Sequence, residues 1–133
     1  MAVSFGTSPT ASSRDVDPSD RSSFYNDDLQ EYLLGFFTVD GKRVDPYDGA
    51  SFRRQQLDTL IDSLQTAAEL VAAEPAEWPF TDEQQLTRYF ESCRLYHIDP
   101  LKPRDQALRV VREAITLATK AKSRDEFLVF EGD

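Results

Sequence analysis

Two side chains stand at the spacing that nucleophilic chemistry requires. Cys93 and His97 are four positions apart, so on one helix they would share a face. An imidazole beside a thiol is the arrangement that generates a reactive thiolate. The chain holds one Cys and one His in 133 residues, so no second pair of this kind exists in it. Cys93 also falls on the apolar stripe formed with Leu86, Tyr89 and Phe90, where a cysteine acts as a small hydrophobe. The expected outcome is a buried thiol and a solvent-facing or capping imidazole near Asp99, with no catalytic residue assigned.

The other chemical groupings are weaker. Asp40, Asp45 and Asp48 lie in one loop region. They lack the alternating acids, central Gly and closing Glu of a calcium loop. Zinc ligation needs His and Cys ligands that the composition does not supply. Asp58 with Asp62, and Asp82 with Glu83, are carboxylate pairs in polar surroundings, where nothing desolvates one member to act as an acid. With five Gly in the chain, no phosphate-cradling loop or nucleophile elbow is found. The expectation is therefore a protein that is not an enzyme and holds no metal or cofactor.

Two loops carry the residue types of a protein interface. Asp45, Tyr47 and Asp48 occupy one; Glu74, Glu77 and Trp78 occupy the other, a segment stiffened by Pro75 and Pro79. Rigid aromatic anchors surrounded by charge are what interfaces use. These six residues are the partner-binding candidates. Phe80 precedes the Thr81 cap position and is expected to fold inward as a staple.

Charge narrows the partner. Twenty-four acidic against fifteen basic residues give a net charge of −9. The longest basic run is a pair, which disfavours nucleic acid and anionic membrane surfaces. A basic protein is favoured, because opposite fields steer encounter. No apolar run approaches the roughly 20 residues of a membrane helix, and the N-terminus has no basic region followed by an apolar one. A lone cysteine fits a reducing compartment. These features give a cytoplasmic expectation.

The elements that position these residues read as helices. Residues 1–23 are expected to form a disordered arm, since from Gly6 to Ser23 the chain is mainly Ser, Thr, Asp, Pro and Arg with little to bury. Residues 24–133 are expected to form one helical domain. Asn26 is a good N-cap for a first helix reaching about Phe37, with Leu29, Tyr32, Leu33 and Phe36 at helical spacing. Asp40-Gly41 between β-branched residues signals a hairpin turn. Ser51 is expected to cap a second helix reaching about Ala73, with an Arg54–Asp58 pair on its surface. Thr81 to Gln84 reads as a capping box for a third helix reaching Tyr96. Pro103 opens a fourth, and short connections make the third and fourth antiparallel neighbours. Residues 127–130 are either an apolar turn face or a short strand.

Together these readings predict a mostly α, four-helix single domain with a small two-stranded ribbon as its β-content. The function that follows is an acidic protein-binding module, in its most concrete form an inhibitor or immunity-type protein covering a basic partner. The alternative is a structural or accessory subunit of an oligomer or larger complex, with residues 127–130 as a contact. Mimicry of DNA is a third reading, weakened by the interspersed Arg and Lys.

Overall fold

A computed structural model of the chain describes residues 2–132. Four helices are present, as the apolar periodicity requires: α1 (Asp27–Leu33), α2 (Gln55–Ala72), α3 (Glu83–Leu95) and α4 (Pro103–Ser123). They do not make a mostly α protein. Six strands accompany them: β1 (Ser4–Ser8), β2 (Arg21–Ser23), β3 (Thr38–Val39), β4 (Lys42–Arg43), β5 (Ala50–Phe52) and β6 (Phe127–Glu131). Four of these form an antiparallel sheet in the order β2-β1-β6-β5, and β3-β4 is a separate hairpin. The fold is mixed α/β, which corrects the mostly α expectation.

The correction originates in the first 23 residues. They supply two of the four sheet strands, and Val3 and Phe5 lie in the core. Phe5 is in register with Phe130 of β6, their ring centroids 5.3 Å apart. Phe24 and Phe37 complete an aromatic cluster with them. A polar-looking segment is thus ordered by a few apolar residues on one strand face and by its pairing on both edges. On the opposite face small residues let a loop close down. A Cβ on Gly6 would stand 2.6 Å from both the Asp20 carbonyl oxygen and Val16 Cγ1, so residues 9–20 pack directly over the strand. Across that same face Arg21 donates to Ser4 Oγ at 2.9 Å and to Glu131 Oε2 at 3.1 Å, linking three strands.

Local details follow the chemistry closely, with shifts of register. Asn26 caps α1 by accepting from the Leu29 amide at 2.9 Å, and the helix tightens to a 3₁₀ turn over Leu34–Phe36. Asp40 and Gly41 both take positive φ, the geometry of a tight hairpin turn. Ser51 belongs to β5 and does not cap α2, which starts four residues later. Arg54 pairs with Asp125, and Asp58 with Lys122, in place of the expected Arg54–Asp58 pair. The capping box is displaced by one residue: Asp82 accepts from the Gln85 amide, and the Gln85 side chain accepts from the Thr81 amide. Residues 127–130 are strand, within β6, and Leu128, Val129 and Phe130 are buried, so they offer no self-association surface.

The layers position the site. α4 lies against β1, β2 and β6, and packs principally on α2, not on α3. α3 touches the body through its two buried residues, Tyr89 and Cys93, and the half-buried Leu86. The rest of α3 stands away from the core beside α1, and the seam between those two helices is open.

Candidate protein interface

The α1–α3 seam gathers acidic and apolar groups that face solvent. Asp28 of α1 pairs with Arg88 of α3 at 3.5 Å, and this contact spans the seam. On one side of it a groove of about 360 Å³ is lined by Asn26, Asp27, Asp28, Arg88, Glu91, Ser92, Leu95 and Tyr96. On the other side Asp28, Glu31, Tyr32, Phe80, Gln85 and Arg88 line a second depression of about 390 Å³. Four carboxylates thus surround one guanidinium. Leu95 and Tyr96 are 70% and 57% exposed, large apolar surfaces with nothing of this chain over them.

Local folding explains the arrangement. Phe80 turns inward, as the staple reading expects, and its ring meets Tyr32 edge-on at 6.0 Å and Tyr89 at 5.6 Å. Tyr89 is fully buried and its hydroxyl donates to the Leu101 carbonyl at 2.8 Å, which fixes α3 against the segment leading to α4. Burial, with help from the neighbouring Cys93, pushes the Tyr89 hydroxyl far above its ordinary range, so it stays a donor. With Tyr89 and Cys93 as the inward pair, Leu95 and Tyr96 fall outside the buried stripe. Phe90, expected in that stripe, is more than a third exposed.

One atom in the groove is unsatisfied. Asn26 is 2% exposed, and its Oδ1 is used by the α1 cap. Its Nδ2 has no hydrogen-bond partner among the described residues. A buried donor left unpaired costs roughly 1–3 kcal/mol.

The six residues singled out from the sequence lie elsewhere. Asp45 Oδ1 accepts from the amides of Tyr47 at 2.7 Å and Asp48 at 3.2 Å, a turn that stiffens the loop and leaves Tyr47 77% exposed. The second loop is tied to α4: Arg104 donates from its side chain to the Glu74 carbonyl at 3.0 Å and from its amide to the Ala76 carbonyl at 3.2 Å. Trp78 is half-buried and packs on the core, and Glu77 is exposed. The 18 residues of α2 separate the two loops by about 27 Å along its axis, so they form distinct patches. None of the six lines the α1–α3 seam. Leu95 and Tyr96 had one legible signal, apolar residues off the helical stripe. The orphaned Asn26 amide had none.

The chemical candidates resolve plainly. Cys93 is fully buried, and burial pushes its thiol up, away from the thiolate. His97 sits past the end of α3 with φ of 55° and is exposed. Among the described residues no three His, Cys, Asp or Glu side chains gather into a set able to hold a metal ion. Another polar cluster was invisible in the sequence. Glu113 accepts from Ser22 Oγ and from Tyr25 Oη at 2.8 Å, and the Arg109 guanidinium lies 4.1 Å above the Tyr25 ring. Burial pushes the Tyr25 hydroxyl up, so the cluster holds its proton and fastens residues 22–25 to α4. No helix among the described residues is long and apolar enough to cross a membrane. Comparisons with protein-family models, with curated proteins and with solved structures find no match for this chain.

Proposed function

We propose that this chain is an acidic protein-binding module, and that its α1–α3 seam receives a basic segment of a partner protein. The observation that carries the reading is the convergence in one groove of three carboxylates, two exposed apolar side chains and the unpaired Asn26 amide. The carboxylates supply steering and pair with Lys or Arg side chains; Leu95 and Tyr96 supply the apolar contact that gives residence time. The net charge of −9 works in the same direction, drawing cationic partners and repelling nucleic acid and anionic lipid. Action without catalysis, and a cytoplasmic location, belong to the same proposal. The narrower inhibitor or immunity-type reading gains nothing from the comparisons and is not pursued.

The test is fluorescence anisotropy with a labelled peptide of alternating Arg and Leu, set against one of alternating Glu and Leu. The Arg peptide is expected to bind, and to weaken as salt rises from about 0.05 to 0.5 M. Leu95→Ser and Tyr96→Ser, at exposed positions, are expected to reduce affinity several-fold without loss of helicity. Equal affinity for the two peptides would overturn the proposal.

A further inference from the structure

A second surface of α3, which meets the α1–α3 groove at Glu91, fits a different partner. Thr87, Phe90, Glu91, Arg94, Ile98 and Pro100 line a cleft of about 610 Å³, more spacious than either depression of the α1–α3 seam. Its surface is mainly apolar, and two opposite charges stand over it. Glu91 and Arg94 are three positions apart on one helix face, and neither is in an ion pair among the described residues.

We infer that this cleft is closed by the same cleft of a second copy of this chain, two α3 helices packing antiparallel about a two-fold axis. Charge order selects that occupant. The chain as a whole is strongly acidic, but α3 carries Glu83 and Glu91 against Arg88 and Arg94 and is balanced. With the axis between Glu91 and Arg94, each Glu91 meets the Arg94 of the copy, twice over, as a self-complementary contact requires. Phe90 is then withdrawn from water. Exposed ion pairs add little strength but set register and orientation. The apolar cleft supplies the association. A purely basic partner would satisfy Glu91 and oppose Arg94; an acidic one would do the reverse. Glu91 borders both this cleft and the α1–α3 groove, but the dimer is read by molar mass with no peptide present, so its failure and that of the seam reading are distinguishable.

The experiment is sedimentation equilibrium of the full chain from micromolar to millimolar concentration. It is run at about 0.15 M salt, where the screening length of about 8 Å shortens the reach of net-charge repulsion. The expected result is a molar mass that rises toward twice that of the monomer. Arg94→Glu should hold the mass at the monomer value, and so should Glu91→Arg. The double reversal, Glu91→Arg with Arg94→Glu, should restore the dimer, a recovery that generic surface damage would not give. All four positions of this cycle are read by circular dichroism to verify the fold, and Phe90→Ser serves as an uncharged variant expected to weaken the dimer at least tenfold. A wild-type monomer at millimolar concentration overturns the inference, as does a double reversal that fails to recover.

Discussion

Asp20 accepts a hydrogen bond from Lys120 at 2.9 Å, joining positions 100 residues apart in the chain. Its other oxygen accepts from Arg124 at 2.8 Å, so one carboxylate holds the β1–β2 connection onto the last turn of α4. Hydrogen bonds from Lys120 and then Arg124 hold the Asp20 carboxyl below its usual range. A lowered folded-state value means the clamp is fully stabilising above the ordinary carboxylate value of about 3.9. It is lost as pH falls through the lowered value. Asp20→Asn should therefore lower the urea midpoint at pH 7, and the gap from wild type should close as pH drops below about 3.9. A gap independent of pH would show that the clamp works through packing alone.

The aromatic cluster makes the N-terminal strand part of the core. Phe5→Ala removes a ring in contact with Phe24, Phe37 and Phe130, and should cost about 3–5 kcal/mol in chemical denaturation. Were residues 1–23 a floppy arm, the same change would leave the midpoint unmoved.

Gly49 secures the other end of the sheet. It takes φ of 71°, and a Cβ there would stand 2.2 Å from the Phe130 carbonyl oxygen. Gly49→Ala should lower stability by at least about 1–3 kcal/mol, from strained backbone and the opened contact between the Tyr47 loop and β6. Gly35→Ala, where a Cβ meets nothing within 4 Å, is the matched control and should be neutral or slightly stabilising in a thermal melt.

These variants also mark what could be read from the residues and what could not. Helices announced themselves through periodicity: Leu57, Leu60, Leu64, Ala67 and Val71 of α2 are all buried, as their spacing required. Strands did not. β1 is Ser-Phe-Gly-Thr-Ser, one apolar residue among small polar ones. Its stability comes from pairing with β2 and β6, whose residues lie up to 127 positions away. Local propensity carries no trace of such partners. Mistaking Ser51 for a cap had the same origin, since β5 exists because β6 lies beside it.

The seam proposed as the interface contains none of the six loop residues picked out from the sequence. Tyr47 does stand exposed on a stiff turn. Trp78 is half-buried, its ring packed against the apolar core. Leu95 and Tyr96 became the exposed pair because α3 turns Leu86, Tyr89 and Cys93 toward the core, which leaves these two off the apolar stripe.

The central claim is that the α1–α3 groove is where a basic segment binds. Its most direct test is a titration of isotopically labelled protein with the alternating Arg–Leu peptide, followed by two-dimensional nuclear magnetic resonance. The account predicts shifts of the Asn26 side-chain amide together with the backbone amides of Asp28, Glu91, Leu95 and Tyr96, while the Tyr47 amide and the Trp78 indole stay in place. Shifts confined to Tyr47, Asp48 and Trp78, or none at saturating peptide, would contradict it.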